Sequence, residues 1–298
     1  MFLPRLNQMK RLPEITTGDF LYHYYQKRSS SFLLNIYNAG ITATENDIHK
    51  ARVDLKKLFA LFSFFEMIGF DLSKNGDPQE IFHDVYIAAG KIREIQMNLL
   101  YIEKLERNDP ELELFSSYLK KSSKKRTKQF IQSIIRFDEK QLNRVRGSIK
   151  KGCRNIKTER IIDICDDFFQ LHSDRIKKYR LKTTKTENIH KIRIEMKKIS
   201  EVAGLLKLLR VDEFVEKLIS ALNQTEVFIG EWHDRVVLYK SIDSFIKKNE
   251  KSNGRIFMTL ESVKKDVDKE TEDLLKKLLP ESDNVVSIID QIPFLKKA

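Results

Sequence analysis

The stretch Ile48-His49-Lys50-Ala51-Arg52-Val53-Asp54-Leu55-Lys56-Lys57 returns as Ile189-His190-Lys191-Ile192-Arg193-Ile194-Glu195-Met196-Lys197-Lys198, 141 residues further along the chain. Six of the ten positions are identical, and the other four exchange one apolar residue for another or Asp for Glu. At 3.6 residues per turn, helix offsets of 0, 3 and 7 fall within an arc of about 60°. His49, Arg52 and Lys56 therefore share one face, as do His190, Arg193 and Lys197, with Lys57 and Lys198 toward the flank. The opposite face carries Ala51, Leu55, Leu58 and Phe62 in the first copy and Ile192, Met196, Ile199 and Ala203 in the second. That is the apolar stripe a bundle buries. One such basic face reads as a solvated surface. Two faces with His, Arg and both lysines in one register read as a duplicated cationic site whose partner is a polyanion. Arg offers a planar fork and Lys a mobile point charge, a mixture suited to phosphate oxygens. A His among these cations stays neutral until an anion arrives; a His buried against a backbone carbonyl is the structural alternative.

The repetition extends outward. Gly90-Lys91-Ile92-Arg93-Glu94 is matched by Gly230-Glu231-Trp232-His233-Asp234, at nearly the same distance after each motif His. Two anchors in one order point to an internal duplication. From Gly18 onward apolar residues recur at three- and four-residue spacing, which predicts an all-α chain. The expected architecture is two helical bundles related by a pseudo-twofold axis. Residues 1–17 read as an N-terminal extension and 18–298 as the domain, with repeats over about 18–150 and 155–298. Helices are expected over Asp19–Asn38, stopping at Gly40, and from the N-cap chemistry of Thr44 to Gly69. Others are expected near Glu80–Arg107, Pro110–Lys121 and Arg160–Arg180, with a turn at Ser73–Pro78.

A net charge of +12 and a pI near 9.4 favour nucleic acid, anionic lipid or a phosphate polymer without choosing among them. Cys153 and Cys165 match no zinc spacing and read as packing thiols in a reducing compartment. No apolar run reaches the roughly 20 residues needed to span a bilayer, and Pro4, Arg5, Lys10 and Arg11 interrupt any signal-peptide core. The expected location is the cytoplasm. No metal, cofactor, membrane contact or obligate protein partner is expected.

On His49-x-x-Arg52-x-x-x-Lys56-Lys57, its repeat at His190-x-x-Arg193-x-x-x-Lys197-Lys198, and Gly90-x-x-Arg93-Glu94, the chain resembles the CHAD family, the conserved histidine α-helical domain. The resemblance covers nearly the whole chain from Gly18. It implies two pseudo-symmetric helical bundles with a basic central channel, and inorganic polyphosphate as the ligand. By position, the binding cations would be His49, Arg52, Lys56, Lys57, His190, Arg193, Lys197 and Lys198. Arg93, Arg175 and Lys178 form a second tier, and Arg93 is equally suited to pairing with a nearby carboxylate. There are departures. Phe59 and Ser200 stand where the family often has a further Arg, and His233 replaces the Arg of the second Gly element. The family is often joined to a triphosphate-tunnel phosphatase marked by Glu-x-Glu-x-Lys. Glu111-Leu112-Glu113-Leu114 begins that way, but Phe115 occupies the Lys place. The implied protein is a stand-alone, non-catalytic polyphosphate binder, with association with polyphosphate granules left open. Two alternatives remain. One is a nonspecific nucleic-acid binder. The other is an HD-type metal-dependent phosphohydrolase built on His83-Asp84 and His233-Asp234, although its metal would sit among cations.

Overall fold

Capping side chains set where the helices begin, and buried faces set how far they run. The computed structural model describes residues 16–72, 77–106, 112–154, 156–182, 186–209, 212–249 and 254–291; most of the expected N-terminal extension and turn lie outside them. The described residues form nine α-helices and no strand. These are α1 (Thr17–Thr42), α2 (Glu45–Ile68), α3 (Pro78–Glu106), α4 (Glu113–Ile135), α5 (Glu139–Cys153), α6 (Thr158–Arg180), α7 (Thr186–Leu209), α8 (Glu213–Lys248) and α9 (Gly254–Asp290).

The helix α2 follows its local signals. The Thr44 hydroxyl accepts the Asp47 backbone N–H at 3.2 Å, and the Asp47 carboxylate accepts from the Thr42 and Thr44 hydroxyls. The helix ends at Gly69, whose φ of 98° is left-handed. Two other helices outrun their expected ends. The first, α1, passes Gly40 and stops at Thr42, with the left-handed turn at Ala43. A Cβ at Gly40 would stand 3.4 Å from the Ile134 side chain of α4. Packing there outweighs a propensity cost of about 1 kcal/mol. The other, α4, continues through its Lys/Ser stretch to Ile135 because Phe130 and Ser133 are buried near its end.

The central contact is α2 against α7, the two motif helices. On one side α1 packs on α2, α2 on α3 and α3 on α4; on the other α6 packs on α7, α7 on α8 and α8 on α9. The two series run in the same order. At the start of α1 the Thr17 hydroxyl meets that of Thr158 at the start of α6, 141 residues away, the interval that separates the motifs. The larger core cluster includes Tyr25, Phe62, Phe82, Phe168, Met196 and Trp232. Within it Phe82 lies against Phe32, Phe62 and Phe137, with ring centroids 5.2, 5.9 and 5.6 Å away. Each fully buried Phe contributes roughly 1.5–3 kcal/mol, so this cluster fixes the angle at which α1, α2 and α3 meet. A second cluster, including Ile102, Phe115, Leu238, Phe245 and Leu260, joins the far parts of α3, α4, α8 and α9. Cys153 and Cys165 are free and buried, and burial pushes the Cys153 thiol up to about 12. Among the described residues no helix is long and apolar enough to cross a membrane.

Candidate functional site

The apolar stripes of the motif helices are buried as their spacing requires: Ala51, Leu55, Leu58 and Phe62 on α2, and Ile192, Met196, Ile199 and Ala203 on α7, are all at most 1% exposed. A buried acid in each motif then fixes the helix rotation. Asp54 accepts from Ser31 and Asn35 of α1, each at 2.7 Å. Glu195, at the matching place on α7, is bonded to the buried His172 of α6. With these faces locked, the cationic faces of α2 and α7 turn toward each other.

They line two adjoining clefts that share Lys56 and Arg193. The first, about 670 Å³ of open space, adds His49, Arg52, Arg93, Glu94, His233 and Asp234. The second, about 470 Å³, adds Phe59, Tyr86, His190, Lys197 and Lys198. The Arg52 guanidinium lies over the Tyr86 ring at 4.6 Å and donates to the Tyr86 carbonyl at 3.1 Å. This seat depends on Gly90, because a Cβ there would stand 2.6 Å from Arg52 Nη1. Arg93 is paired with Glu45 of α2, and Lys197 with Glu226 of α8.

The charges in the groove act strongly on one another. Desolvation first, and then Arg193, Arg52 and Lys197, hold the half-buried Lys56 well below the usual lysine range. Desolvation and Arg52 also lower Arg193, whose Nε is buried without a hydrogen-bond partner. His49 and His190 keep contact with solvent, yet both are lowered by partial desolvation and by neighbouring cations. His233, its ring centroid 5.7 Å from that of His190, is pushed down to about 3 by desolvation and then by Arg193. Desolvation also raises Asp234 despite the arginines beside it. The groove is a convergence of positive charge that disfavours the imidazolium form of its histidines.

Of the residues expected from sequence, His49, Arg52, Lys56, His190, Arg193, Lys197 and Lys198 come together here, as does Arg93 while paired with Glu45. Lys57 lines neither cleft; its charge acts on the buried Glu201, which is paired with Arg28 and bonded to Tyr24. Arg175 lies 3.7 Å from Glu195, and Lys178 is an exposed residue lining neither cleft. His233, the departure in the second Gly element, and Asp234 beside it belong to the groove. Tyr86 and Glu226 carried no motif. Their signal was only position, four residues before Gly90 and Gly230. His83 lies 3.4 Å from Asp84 and both are well exposed. Among the described residues no group of three or more His, Cys, Asp or Glu is placed to hold a metal ion.

The sequence matches the CHAD domain family over residues 35–243. No curated protein matches it. Among solved structures, the fold matches the crystal structure of the CHAD domain from the plant Ricinus communis with a TM-score of 0.66, covering 93% of this chain and 92% of that one. The two are 13% identical, so this likeness speaks for the fold.

Proposed function

The chain belongs to the CHAD domain family, and from that premise we propose that it binds inorganic polyphosphate, without catalysis, in the groove between α2 and α7. The observation that carries this reading is the environment of Lys56. Arg52, Arg193 and Lys197 all press on it, and among the described residues no carboxylate lies within ion-pair distance of it. Cations crowded around a lysine that no carboxylate contacts are costly unless an anion fills the space between them. Two clefts in series suit a linear chain of phosphates better than a single phosphate. Each charge-assisted contact contributes roughly 1.5–3 kcal/mol.

The aromatic side chains of the groove disfavour nucleic acid. Tyr86 is covered by Arg52 on one face and meets Phe59 edge-on at 5.2 Å, so both rings are already engaged by neighbours that a stacking base would have to displace or share. Titration calorimetry with long-chain polyphosphate at near-physiological salt, with single-stranded RNA of matched charge in parallel, tests the reading. Tight, saturable polyphosphate binding with weak RNA binding is expected. Equal affinities would assign the binding to net charge and bring nucleic acid forward.

A further inference from the structure

The two repeats do not bring the same charge to the groove at matching positions. Four residues before Gly90 stands Tyr86, a neutral side chain that seats Arg52. Four residues before Gly230 stands Glu226, a carboxylate paired with Lys197. Its charge also acts on Lys56 and Arg193, opposing the depression that the other cations cause. Three of the acids near the motif of α7 are bonded to side chains around it, and they differ in how they are held. Glu195 is 8% exposed and fixed by His172, and Glu201 is 6% exposed and fixed by Arg28 and Tyr24. Glu226 is 22% exposed, its partner Lys197 34%, and among the described residues it is bonded to Lys197 alone. Of these three pairs it is the one that can open to water without disturbing the core.

We propose that Glu226 is an internal counter-ion that competes with the incoming polyanion for Lys197 and thereby sets the affinity of the groove. It stabilises the empty site by offsetting the repulsion among Lys197, Lys56 and Arg193, and it releases Lys197 to phosphate when the ligand enters. The inference rests on the polyanion-binding reading above. It carries a signature that a purely structural carboxylate lacks, because removing the charge acts with opposite signs on the two states. The ligand-free protein becomes less stable and the complex becomes tighter. Salt adds a second mark. In the wild-type protein the freed Glu226 gathers a cation from solution, which cancels part of the counter-ion release that drives polyanion binding.

The test is calorimetry with long-chain polyphosphate on wild-type protein and Glu226→Gln at several salt concentrations, alongside melting without ligand. The variant should bind about tenfold more tightly, the lower end of what one charge-assisted contact contributes. Its log K should fall with log salt more steeply by about one, and its ligand-free Tm should drop. Wild-type binding with unchanged or weaker affinity in the variant overturns the role of Glu226 and leaves polyphosphate binding standing. Binding by the variant alone supports the role in its strongest form. Absence of binding by both proteins overturns the functional reading and this inference together. Should Glu226→Gln fail to fold, Lys56→Gln and Lys197→Gln decide the matter. Lys56 has no such acid, so its loss should weaken binding more than the loss of Lys197, and equal losses would overturn the proposal.

Discussion

Three imidazoles stand in the groove, and their neighbours decide their charge. His49, His190 and His233 are all held below the ordinary histidine value, by desolvation first and by surrounding cations next. In the unfolded chain they titrate near 6.5. As pH falls below that value, the unfolded state binds protons that the empty fold refuses, so stability contributed by these groups is lost. Denaturant melts of the ligand-free protein between about pH 7 and 5 should therefore show declining stability. A bound polyanion reverses the local sign by favouring imidazolium. Polyphosphate binding should take up protons and tighten as pH falls from about 8 to 6. Calorimetry in two buffers of different ionisation enthalpy reads that uptake, and zero uptake would remove the imidazoles from the ligand's path. The arginines give a second prediction. Arg52→Ala with Arg193→Ala should weaken binding by roughly a hundredfold or more. Lys124→Ala with Lys125→Ala removes the same charge from an exposed part of α4 and should cost only about threefold or less. Similar losses from both pairs would assign the binding to net charge. The cations were legible because identical residues recur at helical spacing. Their carboxylate partners were not: Glu226 lies 29 residues from Lys197, and no spacing rule links them.

At the scale of elements, one glycine illustrates how a helix serves its neighbour. Gly90 of α3 leaves the space in which the Arg52 guanidinium lies. Gly90→Ala should raise the helix propensity of α3 by up to about 1 kcal/mol and still weaken polyphosphate binding, because the added Cβ collides with Arg52. Gly230→Ala, at a second lining position of the same cleft, meets nothing within 4 Å, so it should stabilise α8 by roughly 0.5–1 kcal/mol and weaken binding less than Gly90→Ala, because it displaces no cation. Paired melts and titrations of the two variants measure this contrast; a Gly90→Ala protein that binds normally would mean the seat of Arg52 is unimportant. Element ends divide in the same manner. The bounds of α2 were readable from Thr44 and Gly69, which act on their own backbone. Those of α1 and α4 were not, since Ile134 against Gly40 and the burial of Phe130 are tertiary contacts.

The whole molecule is two helical series joined through α2 and α7, so a ligand between those helices bears on the fold itself. Long-chain polyphosphate should raise Tm by several degrees, because a ligand at 100 times its Kd stabilises the folded state by about 2.7 kcal/mol. Orthophosphate at the same total phosphate should do far less, as a single ion cannot extend through both clefts. Equal shifts in a thermal melt would argue against an extended groove.

The sequence by itself determined the helical class, the register of the two motifs and the cations each presents, and it carried the resemblance to the CHAD family. The class and the registers follow from local periodicity, which one turn of helix encodes within a few residues, and the resemblance from the identity of the residues in the two motifs. Tertiary structure alone decided which cations meet. It turned Lys57 toward Glu201, drew Arg175 to Glu195, brought His233 beside His190, and left Lys56 facing Arg52, Arg193 and Lys197. Those outcomes depend on how helices far apart in sequence rotate and pack against one another. Charge interactions act through distance in space, and the order of residues along the chain does not state that distance.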